Sequence, residues 1–234
     1  MNPSLKYHIE SNAAAVALLR DGNTCAAISA LKATLKNVRS YQAAWTREAG
    51  GSSFLSNHAQ SALPNNQSLT RALQTPIVKS VPILCTTARE NHFDFFGKAF
   101  VIDDTTDKQV DFGTLALVLI YNIAIAMHTL CVDGGRPDHT QTVLQQYRNC
   151  LMIMEECCGD PDRECNLAVI QLAAVNNIGY IFSQHQYVLQ SQEAMKWMHE
   201  LLNALWRFVP VEDDAFFTVS MCMDLASFTR APAA

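Results

Sequence analysis

The side chains with the most reactive potential in this 234-residue chain are its thiols, imidazoles and acids, and their spacing decides what they could do. Cys150, Cys157, Cys158 and Cys165 are close enough for thiolates seven residues apart to share a helical face, which raises metal or redox chemistry. Zinc sites supply ligands in tight pairs two to four residues apart. The only adjacent pair here, Cys157-Cys158, diverges on a helix, so these thiols read as small hydrophobes in helix packing. The competing reading is a cysteine-dependent enzyme or redox sensor using Cys157 or Cys158, near a helix end and Arg163. His128, His139, His185 and His199 show no ligand spacing, and neither a Gly-x-Ser-x-Gly elbow nor a P-loop occurs. Asp111-Phe112-Gly113 spells the metal-binding triplet of protein kinases without a glycine-rich loop or a His-Arg-Asp loop. Asp111 is better read as a helix N-cap. No catalytic residue, metal site or cofactor is therefore assigned.

Composition narrows the field further. Hydrophobic residues make up 49% and charged residues 17%, the balance of a chain with a packed core. The net charge is -5, from 17 Lys and Arg against 22 Asp and Glu without basic runs, and it lacks the footprint that nucleic-acid binding needs. The apolar stretch Ala13 to Leu19 is too short for a signal peptide, so a cytoplasmic protein with reduced thiols is expected. The sequon Asn66-Gln67-Ser68 then reads as a chance triplet. Phe112 to Val132 has no charged residue and the length of a membrane span. Asn122 and His128 lie inside it and no Lys/Arg cluster flanks it, so a buried helix is expected and no membrane partner.

The elements that must position these residues are mainly helical. Apolar residues at three- and four-residue spacing from Ser11 to Lys36 break at Asp21-Gly22-Asn23. Gly22 can take the left-handed conformation there, which predicts a helix hairpin whose second helix continues to Trp45. Four more helices are predicted, over Phe112 to Cys131, Asp138 to Cys157, Asp162 to Gln184 and Val188 to Phe208. Their short connections make neighbours antiparallel. Residues 50–80 lose periodicity and read as a disordered loop, and 81–102 as a β-hairpin insertion. Phe217, Val219, Met221 and Met223 alternate with polar residues, which predicts a strand completing a small antiparallel sheet. The expected fold is one helical domain, 1–234, forming an α-solenoid or compact bundle.

Tyr121-Asn122-Ile123-Ala124 and Asn176-Asn177-Ile178-Gly179 align Asn on Asn and small residue on small residue, at an offset of 179−124 = 55 residues. A small residue at that point lets a paired helix approach closely. With Ala15, Leu18, Gly22, Ala27 and Leu31 in the first hairpin and Gly179, Phe182, Ala194 and Met198 in the last, the chain resembles the tetratricopeptide repeat (TPR). The middle hairpin contributes Ala124 and Met127, with an insertion at Val132 to Pro137. The family's closing Pro is missing after Leu35, and the offset exceeds the family's repeat of about 34 residues. The resemblance implies a non-catalytic protein-interaction scaffold that binds a peptide or partner protein in a groove lined by the first helix of each hairpin. It also implies partner-binding roles for Asn122, Asn177 and Tyr180, since an amide can bond an extended backbone through both its donor and its acceptor. Buried structural hydrogen bonds would account for the same residues. With so few hairpins, self-association into a homo-oligomer or closure into a bundle is a further expectation.

Overall fold

The computed structural model describes residues 3–48, 77–85, 93–103, 110–133, 139–157, 161–206, 209–210 and 213–219. Six helices make three antiparallel hairpins: α1 (Pro3–Arg20) with α2 (Thr24–Glu48), α3 (Phe112–Asp133) with α4 (Thr140–Cys157), and α5 (Pro161–Gln184) with α6 (Val188–Leu205). Each helix packs on the next in sequence, and the first helices α1, α3 and α5 are also in contact with one another in that order.

Two hairpin turns use the same chemistry. Gly22 stands at φ +76, its N–H donating to Leu19 O (3.1 Å) while Asn23 N–H donates to Leu18 O (2.8 Å). These paired bonds satisfy the last carbonyls of α1, as the Asp21-Gly22-Asn23 break predicted. At the end of α5 the same two bonds run from Gln186 to Ser183 O (3.1 Å) and from Tyr187 to Phe182 O (2.9 Å), with Gln186 at φ 57. A side chain in that conformation costs about 1–2 kcal/mol, of which glycine's larger unfolded-state entropy would return part. Gln186→Gly is therefore expected to raise stability by about 0.5–1 kcal/mol, measured as a higher urea midpoint at unchanged slope.

Asp111 Oδ1 accepts from Thr114 N–H (2.6 Å), so it is the N-cap read from the sequence. The apolar run it opens, α3, is long and apolar enough to cross a membrane, but 72% of its most apolar stretch is buried inside the protein. Packing against α1, α2, α4 and α5 accounts for its composition.

The sheet has two antiparallel strands, β1 (Val78–Pro82) and β2 (Lys98–Ile102), paired from Val78 with Ile102 to Pro82 with Lys98. Strand pairing thus begins at Val78, inside the stretch read as a loop, while 50–76 lie outside the described residues. The predicted C-terminal strand is not part of this sheet. Residues 213–219 are helical, and Met221 and Met223 lie outside the described residues. Alternation misled here because both Phe216 and Phe217 pack on one ring, Phe96, at centroid distances of 5.1 Å each. Consecutive residues reach a common neighbour from the end of a helix. On a strand they would point to opposite faces.

Candidate functional site: asparagines that hold a strand backbone

A segment of the same chain lies against the first helices α1, α3 and α5. Phe93–Ile102 crosses α5, makes a tight turn closed by Gly97 N–H donating to Phe95 O (2.9 Å), and ends in β2, which packs on α3 and α1. Its three anchors, Phe93, Phe96 and Phe100, are buried.

Asn177 on α5 and Asn122 on α3 hold the backbone of this segment in the same manner, four residues apart. Phe96 N–H donates to Asn177 Oδ1 (3.0 Å), and Asn177 Nδ2 donates back to Phe96 O (3.3 Å). Phe100 N–H donates to Asn122 Oδ1 (2.8 Å), and Asn122 Nδ2 donates to Phe100 O (2.7 Å). A strand's backbone groups face alternate edges: Gly97 O accepts from Ile83 N–H (3.0 Å) and Asp103 N–H donates to Ile77 O (2.7 Å) on the side of β1. Phe96 and Phe100 therefore present their polar groups to the opposite edge, where the asparagine amides replace a third strand. Strand spacing of about 3.3 Å per residue separates the two clamps by about 13 Å, so that they sit on successive first helices.

Two further asparagines belong to this set and were not singled out from the sequence. Asn12 on α1 donates to Phe100 O (3.0 Å) and accepts from Asn122 Nδ2 (2.9 Å), and Asn176 donates to Asp94 O (2.9 Å). A signal for Asn12 existed: Asn12-Ala13-Ala14 repeats the Asn-x-small pattern of Asn122-Ile123-Ala124 and Asn177-Ile178-Gly179.

The small residue of that pattern also has a different neighbour from the one expected. A Cβ added at Gly179 would meet the Phe93 ring at 2.5 Å, so on α5 the missing side chain makes room for a ring of the extended segment. Tyr180, the third predicted binding residue, is 5% exposed, with its ring 5.5 Å from Phe95 and 5.6 Å from His128. All three predicted residues thus meet at Phe93–Ile102. The amides of Asn122 and Asn177 are engaged in cis, which leaves a partner no free bonding group on them while the segment stays in place.

Beneath the segment lies a polar network. Asn177 Nδ2 donates to Tyr147 OH (3.1 Å) and lies 3.3 Å from Tyr121 OH, while Tyr147 OH is 3.2 Å from His128 Nδ1. Burial is the main cause that raises both phenols well above their usual range, so both stay protonated. Burial also lowers His128 from 6.5 to about 3, which keeps its imidazole neutral, and lowers His8 in the same direction. Unfolding restores the ordinary histidine value, so between pH 6.5 and 3 the unfolded chain binds more protons and stability falls as pH falls. His128 alone should cost about 1.4 kcal/mol per pH unit, or about 2 kcal/mol at pH 5. Urea denaturation at pH 7.5 and 5.0 checks this: the loss should shrink in His128→Gln, and an equal loss in both proteins would refute it.

Above the segment, Asp213 is fully buried and pairs with Lys98 Nζ at 2.5 Å, while Ser80 Oγ donates to the same carboxylate oxygen (3.0 Å). Phe217 stacks on Phe96 with rings 16° from parallel. The helix of residues 213–219 thus packs on the segment through Phe217 and Asp213.

The thiol chemistry considered from the sequence is not assembled among the described residues. Cys150 is buried with its thiol pushed up by desolvation, Sγ lying 3.7 Å from Leu117 O. Cys157 ends α4. Its side chain, that of Cys165, and Cys158 lie outside the described residues. Among the described residues no three His, Cys, Asp or Glu gather as a metal-binding group. Compared with protein-family models, with curated proteins and with solved structures, the chain matches none.

Proposed function

We propose that the chain is a non-catalytic protein-interaction scaffold of TPR-like hairpins, whose first-helix groove recognises an extended polypeptide through paired side-chain amides. The support is the double bonding of Phe96 by Asn177 and of Phe100 by Asn122. An asparagine amide has the donor and acceptor of a peptide group, so it pairs with any residue's backbone, and this is the chemistry of adding a strand to a sheet edge. Apolar sockets beside the clamps, such as the Gly179 notch, add selectivity for ring-bearing side chains. Nothing in such a groove performs a reaction. Its partners are proteins or peptides, and its setting is the cytoplasm.

Site-specific photo-crosslinking in a native lysate tests this reading without removing a clamp. A photoreactive residue replacing Tyr180, on α5 beside the segment's Phe95, should yield protein adducts. One replacing Lys196, exposed on α6, should not. Adducts confined to position 196 would sink the groove as the binding face.

A further inference from the structure

We propose that the groove is a receptor in trans for an extended segment of another protein, with aromatic side chains at positions i, i+3 and i+7, and that Phe93–Ile102 is a resident competitor which that partner displaces. This deepens the scaffold reading above and rests on it.

The recognition pattern comes from the occupant. Phe93, Phe96 and Phe100 have the stated spacing and are 2%, 0% and 0% exposed; of the residues between them Asp94, Phe95, Gly97 and Lys98 are half-buried, and only the small Ala99 is buried as fully. The four groove asparagines bond only backbone atoms of the segment. Recognition by these amides is therefore not tied to this sequence, and any strand that brings rings to the same sockets satisfies it.

The resident segment fits imperfectly. Asn176 donates to Asp94 O, yet its own Oδ1 is buried without a hydrogen-bond partner, so this amide makes half of the pairing that Asn177 makes in full. Asp213 Oδ2, beside Lys98, is likewise buried and without a partner. Buried acceptors left unsatisfied weaken the complex that holds them, and a partner strand offering an N–H to Asn176 Oδ1 gains what the resident forgoes. A tethered occupant nonetheless competes at high effective concentration, so an incoming strand is bound in proportion to the fraction of grooves that stand open.

The test uses the purified full chain and a fluorescein-labelled peptide of residues 92–103, read by anisotropy. Phe93→Ala weakens the resident and leaves the groove helices untouched. It should bind the peptide at least about tenfold more tightly than wild type. Adding Gly179→Ala, which fills the notch the peptide's own ring needs, should remove most of that gain. Wild type supplies a readout free of any folding defect: with saturating unlabelled peptide, the amides of Phe96 and Phe100 should lose protection from hydrogen exchange. Unchanged protection, together with no binding by folded Phe93→Ala, would overturn the proposal and make the segment a permanent part of the fold. A Phe93→Ala dimer that the peptide cannot dissociate would overturn it too, in favour of exchange between copies of this chain. If Phe93→Ala does not fold, the wild-type exchange result decides alone. Lysate adducts at position 180 without peptide exchange would keep the scaffold reading and discard displacement, whereas peptide exchange without lysate adducts would leave the groove without a protein partner and overturn both.

Discussion

Asn122→Ala is expected to lower the unfolding free energy by about 3–5 kcal/mol, the loss that follows when several buried polar groups lose partners together. Deleting the amide strands Phe100 N–H and Asn12 Oδ1, and leaves Phe100 O with the Asn12 donor alone. All three residues are fully buried, so bulk water cannot substitute without local opening. For a chain of this length the loss corresponds to a fall in Tm of about 10 °C. Asn122→Asp separates geometry from bonding. It keeps the shape and the acceptor for Phe100 N–H but places a carboxylate against two other acceptors, Phe100 O and Asn12 Oδ1. A comparable loss at neutral pH is expected. Thermal unfolding followed by circular dichroism measures both variants, and a change below about 1 kcal/mol in each would show that the amide pairing is dispensable.

Gly179→Ala should change sign with the residue opposite it. In an ordinary helix interior this substitution stabilises by about 1 kcal/mol, because alanine loses less backbone entropy. Here the new Cβ would stand 2.5 Å from two carbons of the buried Phe93 ring and 2.9 Å from a third, so the ring must shift. Overpacking of this kind costs about 1–3 kcal/mol, so the net effect in wild type is destabilising. In a Phe93→Ala background the obstruction is gone and Gly179→Ala should regain its ordinary stabilising sign. A double-mutant cycle by urea denaturation should therefore give a coupling of about 1–3 kcal/mol, the overpacking cost itself, between positions 86 apart in sequence (179−93 = 86). Additive effects would mean that the ring does not sit in the notch.

Both predictions turn on contacts between residues far apart in the chain, and the same fact divides what could be read from the sequence from what could not. Helix periodicity, Gly22 at the α1–α2 turn and Asp111 at the start of α3 were legible because each depends on neighbours within four or five residues. Asn122 and Asn177 were legible as amides able to pair with an extended backbone, since that capacity belongs to the side chain itself. Gln186 was not, because a turn that glycine normally announces is made here by an exposed non-glycine residue held by two backbone hydrogen bonds.

The sequence by itself determined the hairpins, the apolar helix at their centre and the chemistry that the inner asparagines could offer. Only the tertiary structure decided whose backbone accepts that offer. The bonds from Asn177 to Phe96 and from Asn12 to Phe100 span 81 and 88 residues, and the ion pair from Lys98 to Asp213 spans 115. Hydrogen bonds and ring contacts act over a few ångströms whatever their separation along the chain, so local patterns carry no record of them. A strand from another molecule and a strand from this one present the same N–H and C=O groups. The amide chemistry was readable from the asparagines themselves, and the backbone they hold became identifiable only when the folded chain brought Phe93–Ile102 across α5, α3 and α1.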